Sequence, residues 1–582
     1  MTLGLAERQT DLFDTAKRLC DEVVKPASIY AFLHRERDRL FPDEMFEDLF
    51  AARGRRSVPP SIVACVMVLQ RLEGCSDREA VDRLTFDLRW RYAAGVDDSY
   101  RGFVHTVLVD MRARLRDSGD PDRIFRITTE LAASAGLLGV RRVLDSAPLY
   151  DAVATQDTVT LIRGAIRGLL RACPPGLEAE LRALLQRDDD YSSLGKPVCD
   201  WDDPEARAAL IDELVNDALD VLEVMEGRDL SPGIAKAADL LATVAGQDVD
   251  HDIDGVFRIA RRTAKDRVIS TVDTDARHGH KTSARGFDGY KGHIAIDPDS
   301  EIITAAAVGP ANAGDGDMLA ALVGDVIPDP QSAHGIDAAD PERACAPQDD
   351  REPVAESHAS GDDADDPDAP SGRDDDDAGA PKARSCAQGN DPASREDQPA
   401  SALAPPVVYG DAAYGSGANL AFLEEAGAVA MTKVQPPVAP GGRFAKDRFA
   451  IDLDQGAVTC PNGVTAPIVT TPSGDAYARF GNSCDSCPLR DRCTTSSSGR
   501  AVTIGPYEAL LARARETQKD DAWKDDYRAI RPRVERKLAH MLRRRHGGRR
   551  ARVRGKVRVD QDFKLLGAAV NLARLAILLT PG

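Results

Sequence analysis

The spacing of apolar residues over the first 135 or so positions is typical of short helices. Ile62, Val66 and Leu69 recur at helical intervals, and a second run with this spacing covers Val104, Val107, Leu108, Met111 and Leu115. Between them, Ser76-Asp77-Arg78-Glu79 is a capping box that predicts the start of a helix. Short helices joined by tight turns suit a helix-turn-helix module, and they suit an ordinary helical bundle equally well. We predict a helical N-terminal domain over residues 1–137, with DNA binding as its first interpretation.

The pattern then becomes mixed. Val143-Leu144-Asp145 is a short apolar run that ends in an acid, and helical periodicity from about Thr158 to Ala264 predicts a helical insertion over residues 155–265. Two strand-like runs, Tyr290–Asp297 and Glu301–Val308, predict a hairpin because a turn-forming Asp-Pro-Asp-Ser sequence joins them. A helix is predicted from about Asp317 to Val326. We assign residues 138–327 to the first part of an α/β core.

Residues 328–402 are rich in Asp, Pro, Ala, Gly and Ser, with almost no large apolar side chains. Such a segment cannot offset its ordering entropy by burial, so we expect a disordered acidic insert. The strand signal of Val407-Val408-Tyr409, a helix near Leu420–Ala426 and a strand over Val429–Val434 follow it. Residues 403–435 are therefore the expected second part of the core.

Residues 436–505 are rich in Gly, Pro, Thr and Ser and carry a cysteine group, which predicts a small loop-rich insertion with little apolar core. Helical periodicity returns over residues 506–582, which we assign to the C-terminal part of the core. Its predicted helices carry Ile530, Val534, Leu538 and Met541, then Phe563, Leu566, Val570, Ala573 and Ile577.

Length and composition indicate how many folded units to expect and whether the chain enters a membrane. A chain of 582 residues with 42% hydrophobic residues is expected to form several packed units. No signal-peptide pattern begins the chain and no uninterrupted apolar run is long enough for a membrane span, so we expect a cytoplasmic protein without a membrane partner.

A net charge of -20 is unfavourable for binding nucleic acid, but this value is an average over the whole chain. Residues 337–397 hold 19 acids against 6 Lys or Arg, whereas residues 531–558 hold 13 Lys or Arg against one acid, Glu535. The placement of charge therefore leaves a strongly basic surface open to DNA.

Three acids stand out from their surroundings. Asp145 and Asp411 each follow an apolar run, so both are predicted at the carboxyl end of a buried strand, where open α/β sheets place their sites. Glu535 interrupts a basic, amphipathic helix. Carboxylates gathered in this way can hold two divalent ions about 4 Å apart that act on a phosphodiester, and hard oxygen ligands favour Mg²⁺ or Mn²⁺. The alternative is ordinary: an acid at a strand end is often a turn or cap residue.

Several motifs resemble those of bacterial insertion-sequence DDE transposases, in particular the branch named after insertion sequence eleven-eighty-two. They are Val143-Leu144-Asp145-Ser146, Asp273-Thr274-Asp275-Ala276-Arg277 with Gly289-Tyr290-Lys291-Gly292-His293, the block from Tyr409 to Gly417 around Asp411, and Tyr527-Arg528 through Glu535. The resemblance implies an RNase H-like mixed-sheet core in which Asp145, Asp411 and Glu535 bind the catalytic ions. Asp275 also lies in a matching block, so it is the alternative first acid. Arg531 resembles the arginine that precedes the third acid.

The sequence departs from this pattern near its third acid. Leu542, followed by Arg543, stands where the signature has a lysine, so we expect a basic neighbour to replace it. Pro532 lies three residues before Glu535, so the helix that carries Glu535 is predicted either to begin there or to be kinked there.

Basic residues around the three acids are the predicted DNA contacts. The residues are Arg277, His280, Lys281, Lys291, Arg531, Arg543, Arg544, Arg545, Arg549 and Arg550. A solvated face, or a contact with the acidic insert, is the alternative role for the arginine run.

The cysteine group consists of Cys460, Cys484, Cys487 and Cys493, with 23, 2 and 5 residues between successive members. A two-residue spacing plus two further thiols in a core-poor segment predicts a structural Zn²⁺ site. Reduced cysteines without a metal and an iron–sulfur cluster are the alternatives.

These observations predict a DNA transposase. We expect it to bind the terminal inverted repeats of an insertion sequence and target DNA, to cleave and join strands, and to act as a homodimer or larger assembly on double-stranded DNA. A nuclease without joining activity and an inactive DNA-binding remnant are the two alternatives.

Overall fold

The computed structural model describes residues 1–6, 15–151, 155–189, 191–193, 195–251, 257–260, 264–282, 285–327, 404–471 and 476–580. The acidic insert predicted over residues 328–402 lies outside the described residues. So do residues 190, 194, 252–256 and 261–263 of the predicted helical insertion.

The N-terminal helices form as the apolar spacing predicts. They are α1 (Thr15–Val23), α2 (Ile29–Leu40), α3 (Pro60–Glu73), α4 (Asp77–Phe86), α5 (Leu88–Ala94), α6 (Thr106–Arg116) and α7 (Arg123–Ser134). The capping box at the start of α4 is present, since Ser76 and Glu79 each accept a hydrogen bond from the other's backbone N–H. Helix α3 is the centre of this region because every residue from Pro60 to Arg71 is buried.

The central sheet contains six strands. They are β1 (Arg141–Tyr150), β4 (Arg277–Thr282), β5 (Arg285–Ile296), β6 (Ile303–Pro310), β7 (Val407–Gly410) and β8 (Val429–Thr432). Strand β5 pairs antiparallel with β1, β4 and β6, whereas β7 lies parallel to both β1 and β8. An antiparallel β5–β6 hairpin beside parallel strands β1, β7 and β8 is the mixed sheet of an RNase H-like core. The predicted hairpin and fold class are therefore confirmed.

Helices cover the sheet on both faces. On one face lie α12 (Leu319–Val323) and α13 (Gly417–Glu425), which pack with Leu144, Ala295 and Val408. The other face packs against α16 (Asp521–Ile530), α17 (Pro532–Met541), α18 (Lys556–Leu578) and the N-terminal helices. Helix α15 (Glu508–Thr517) packs against α13. One apolar core runs from α2 and α3 through β1, β5 and β6 to α18. Helix α12 is shorter than the predicted helix over Asp317–Val326.

The predicted helical insertion contains α8 (Thr158–Ala172), α9 (Pro175–Arg182), α10 (Pro204–Met225) and α11 (Pro232–Gln247). These helices have a core of their own. A short hairpin of β2 (Val249–His251) and β3 (Phe257–Ile259) follows them, which the helical periodicity did not predict.

The cysteine-containing segment is more ordered than its composition predicts. It forms a five-stranded antiparallel sheet of β9 (Ala450–Asp452), β10 (Ala457–Thr459), β11 (Thr465–Thr470), β12 (Ala476–Arg479) and β13 (Ala501–Ile504), with a one-turn helix α14 (Arg490–Cys493). Its core includes Phe444, Phe449, Val458 and Phe480. The prediction of a loop-rich, core-poor segment was wrong. Four of the five strands have only three or four residues, which is too few to show a clear alternation of apolar and polar positions in the sequence.

No helix in the described part of the chain is long and apolar enough to cross a lipid bilayer.

Candidate active site and cysteine cluster

Asp145 lies in the middle of β1 rather than at its end. Strand β1 continues to Tyr150 because β5 pairs with it as far as Gly289. Its parallel pairing with β7, however, stops at Val143 opposite Tyr409. Asp145 therefore lies beyond the last paired position of β7, beside the point where Asp411 leaves that strand. The prediction of a strand end was wrong for β1, although the open edge beside Asp145 remains.

Asp411 follows the last residue of β7, as predicted. Its Oδ1 accepts a hydrogen bond from the backbone N–H of Ala413 at 3.0 Å, which fixes the turn into α13. Tyr527, on α16, donates its hydroxyl to the carbonyl of Gly410 at 3.1 Å. Tyr409 donates in the opposite direction, to Asp526 at 2.6 Å. Helix α16 is thereby attached to the last two residues of β7 by two hydrogen bonds.

Glu535 lies in the first turn of α17, which begins at Pro532. Proline is well suited to this position because it lacks the N–H that the helix interior would require. Only Arg531 separates α17 from α16, and its φ of -57° and ψ of -38° are helical, so Pro532 both begins α17 and interrupts a nearly continuous helical run. The side chain of Glu535 is 61% exposed, in contrast to 16% for that of Asp145.

Arg531 lies between the first and third acids. Its Nη2 is 3.0 Å from Asp145 Oδ1, and its Nη1 is 3.3 Å from Glu535 Oε1. Arg531 is only 6% exposed, so this guanidinium is committed to carboxylates here rather than presented to DNA. Burial raises the pKa of the Asp145 carboxyl above its ordinary value, while Arg531 opposes that rise and the nearby charge of Asp411 adds to it.

The three predicted acids line one open cleft of about 680 Å³. Of the predicted DNA contacts, His280, Lys281, Lys291, Arg531 and Arg549 line it as well. Arg543, Arg544 and Arg550 are exposed outside the lining, and Arg277 is paired with Asp266 at 2.7 Å. Arg545 contacts His546 at 3.1 Å. Asp275, the alternative first acid, does not line this cleft; it accepts a hydrogen bond from the N–H of Lys556, in the first turn of α18, at 2.8 Å.

The arginine run also attaches the core to the N-terminal helices. Arg552 donates to the carbonyl of Cys75, and His546 contacts the carbonyl of Leu72. The backbone of Tyr150 pairs with that of Arg549 and Ala551. The Glu73-Gly74-Cys75 turn, which suggested a helix-turn-helix module, is therefore packed against the basic loop.

Two cleft residues were missed by sequence reasoning. Asp315 accepts a hydrogen bond from the hydroxyl of Ser146 at 2.7 Å and forms an ion pair with Lys291 at 2.9 Å. Lys433 directly follows β8 and lies over the ring of Tyr527, with Nζ 5.0 Å from the centroid. Its position could have identified Lys433 as a site residue, because it follows an apolar run at the same edge of the sheet as Asp411.

The donor chemistry of Asp145, Asp411 and Glu535 fits hard divalent cations, because all three supply carboxylate oxygens to one cleft. With Arg531 between two of them, no three Asp, Glu, His or Cys side chains among the described residues are arranged so that they could hold an ion together. Ion binding is therefore expected to require a shift of Arg531.

The four cysteines predicted as zinc ligands line one small cavity in the five-stranded module. None of them forms a disulfide, and the backbone N–H of Arg500 donates to Cys484 Sγ at 3.4 Å. Burial raises the pKa of the Cys493 thiol, and the charges of the other three cysteines raise it further. As at the three acids, no three of these cysteine side chains, all of which are described, are arranged so that they could hold an ion together.

Comparison with known protein families gives the class of the chain. Residues 250–336 and 459–576 match two models that are each described as a transposase DDE domain. Residues 20–114 match a transposase domain (DUF772). The chain thus carries transposase DDE domains on an RNase H-like sheet, and such domains act on DNA with divalent metal ions. Glu535 lies inside a matched segment, whereas Asp145 and Asp411 lie outside all three. No curated protein and no solved structure matched the chain significantly.

Proposed function

We propose that this chain is an insertion-sequence transposase of the eleven-eighty-two branch, with Asp145, Asp411 and Glu535 as its catalytic acids. The observation that carries the proposal is that acids from β1, from the end of β7 and from α17 line one cleft. The assignment to this branch rests on the sequence motifs, above all the Gly-Asp-Ala-Ala-Tyr-Gly block around Asp411.

Two Mg²⁺ or Mn²⁺ ions held by these acids would polarise the phosphodiester and activate the attacking oxygen. Arg531 offsets the charges of Asp145 and Glu535 and is displaced from them when the acids take up cations. Lys281, Lys433 and Arg549 hold DNA phosphates along the walls of the cleft. Water is the attacking group in cleavage, and the freed 3′-hydroxyl attacks target DNA in strand transfer.

Two DNA ends need two such clefts, so the active form is a homodimer or larger assembly on DNA. The N-terminal helices are proposed to recognise the terminal inverted repeats. Because residues 60–71 of α3 are buried, recognition falls to α4, whose Arg78 and Arg83 side chains are exposed.

The test uses DNA that carries the inverted repeats flanking the gene. The full chain is expected to nick this DNA only with Mg²⁺ or Mn²⁺, and Asp411→Asn is expected to abolish nicking without loss of DNA binding. Asp525→Asn is the matched control, because Asp525 lies on α16 and is exposed outside the cleft lining.

A second substrate with pre-cut ends separates the related activities. Joined product supports a transposase, whereas cleavage without joining indicates a nuclease. Binding without any metal-dependent nicking indicates an inactive remnant.

The four cysteines are proposed to bind one structural Zn²⁺ ion. Two observations support this proposal. All four cysteines line one cavity, and the backbone N–H of Arg500 donates to Cys484 Sγ, a contact that stabilises a thiolate.

A further inference from the structure

A second groove opens beside the candidate active site. It has a volume of about 560 Å³ and begins at Ala412, the residue after Asp411. Lys433, Tyr527 and Arg528 line both this groove and the cleft of the three acids. The cleft and the groove are therefore adjacent, and a DNA strand bound in the cleft would pass Lys433, Tyr527 and Arg528 on its way to the groove. We call this surface the aromatic groove; its principal side chains are Lys433, Lys519, Trp523, Lys524, Tyr527 and Arg528.

Its floor is a stack of two aromatic rings. Trp523 and Tyr527 lie four residues apart on α16, on the same face of the helix, with ring centroids 5.0 Å apart and planes inclined by 11°. Lys433 Nζ also lies over the ring of Tyr527. Tyr527 is only 7% exposed and is fixed by its hydrogen bond to Gly410, so Trp523 is the ring of the pair that is more open to a ligand.

The rings lie among cations. Lys519, Lys524 and Arg528 form ion pairs with Glu516, Asp521 and Asp525 at 2.7, 2.8 and 3.1 Å, and these acids do not line the groove. The acids are at least 76% exposed, so these pairs are weak and leave the cations available to phosphates. Within the described part of the chain, no ion pair involves Lys433.

Cations around a stacked aromatic surface are the features that bind nucleic acid without reading its sequence. In the interior of a duplex, neighbouring base pairs cover both faces of each base, so stacking on Trp523 requires an unpaired base or the exposed pair at a duplex end. We propose that the aromatic groove binds unpaired nucleotides of the DNA strand next to the scissile phosphodiester. This inference rests on the proposed function, because it takes the cleft of the three acids as the place of cleavage.

The test measures binding of the full chain to a short single-stranded oligonucleotide in metal-free buffer, so that it does not depend on catalysis. Trp523→Ala is expected to weaken this binding about tenfold, the usual range for loss of one base–aromatic stack. Trp523→Phe is expected to restore most of it. The charge reversals Lys519→Glu and Lys524→Glu change surface residues and give a second test that does not alter the stack.

Trp201→Ala is the matched control. Trp201 is 37% exposed and also lies under a lysine, Lys196, at 5.0 Å, but it belongs to the helical insertion. The oligonucleotide is expected to quench tryptophan fluorescence in wild type and in Trp201→Ala, and not in Trp523→Ala. Trp90, the third tryptophan, is fully buried.

Unchanged affinity in Trp523→Ala and in both charge reversals would overturn the proposal, as would equal affinity for a blunt duplex. If cleavage of terminal repeats is observed alongside those results, the proposed function stands and the aromatic groove does not. If the oligonucleotide binds as expected but no DNA is cleaved, the groove stands and the proposed function fails.

Discussion

Arg531 lies 3.0 Å from Asp145, and this ion pair fills space between two acids that are proposed to share metal ions. The same guanidinium is 3.3 Å from Glu535. A largely buried carboxylate without a counter-charge is unfavourable, so either Arg531 or a cation is needed beside Asp145. The pair therefore links the stability of the cleft to metal binding.

Substitution of Arg531 should make stability depend on divalent ions. Without metal, Arg531→Met is expected to lower the free energy of unfolding by about 1–3 kcal/mol, because the partly buried Asp145 carboxylate is left without its hydrogen-bonding partner. Added Mg²⁺ should restore most of this loss, since a ligand of the native state stabilises it. Urea unfolding with and without Mg²⁺ measures both effects.

Arg528→Met is the control for that experiment. Arg528 lies one turn earlier and its side chain is 71% exposed, so its loss is expected to change stability little in either buffer. Equal losses in the two variants, or no recovery of Arg531→Met with Mg²⁺, would show that Arg531 does not stand in for a cation.

The stability of the protein should fall in acid partly through His293. This residue is 1% exposed on β5, and burial lowers the pKa of its imidazole to about 4. In the unfolded chain the pKa of the His293 imidazole is near 6.5. Between pH 4 and pH 6.5 the unfolded state therefore binds more protons than the folded state. Above about pH 6.5 His293 is neutral in both states and does not lower the free energy of unfolding. As pH falls towards 4, the free energy of unfolding falls by at most about 3 kcal/mol through this residue.

His293→Gln removes the titrating group and should flatten this dependence, whatever its effect at neutral pH. Urea unfolding at a series of pH values between 7 and 4 provides the comparison. A variant whose stability declines in acid as steeply as that of wild type would exclude His293 as a source of the decline.

Gly74 joins the N-terminal helices to the basic loop through close backbone contact. It has φ of +69°, and a Cβ there would lie 2.6 Å from the carbonyl oxygen of Arg545. Gly136 has nearly the same φ, +68°, but nothing within 4 Å of its Cβ position. Gly136→Ala should therefore cost about 1 kcal/mol from backbone strain alone, and Gly74→Ala about 1–3 kcal/mol more. Thermal unfolding of both variants measures the difference; equal losses would argue against the packing of Gly74 on Arg545.

The cysteine cluster should contain metal when the protein is purified. We expect one equivalent of Zn²⁺ per chain, released by a thiol reagent and detected with a chromogenic chelator. Cys487→Ser should lose the metal and expose the five-stranded module to protease, whereas Cys199→Ser, which alters a cysteine outside the cluster, should retain it. A wild-type protein free of zinc and iron would leave reduced, unligated thiols as the correct interpretation.

The parts of this fold that local patterns encode were predictable from sequence. The capping box of α4, the hairpin of β5 and β6 and the start of α17 at Pro532 each depend on a few adjacent residues. The position of Asp145 within β1 was not predictable in this way, because the strand is extended by pairing with β5, and Asp145 pairs with Ile294, 149 residues later in the chain.

Contacts at the candidate site were the least accessible to sequence reasoning. Arg531 was expected to bind DNA phosphates, and nothing in a basic helix indicates that its guanidinium points at Asp145. Lys433 follows an unremarkable short strand, and its relationship to Tyr527 depends on how α16 packs against β7. Both contacts arise from tertiary packing.

The most direct test of a metal site shared by the three acids is to replace the proposed Mg²⁺ with Fe²⁺ and let ascorbate and peroxide cut the polypeptide beside the bound iron. We expect cuts near residues 145, 411 and 535 together, suppressed by excess Mg²⁺ and weakened at all three positions by Asp411→Asn. Cuts confined to one of the three positions, or unaffected by Asp411→Asn, would contradict a shared metal site.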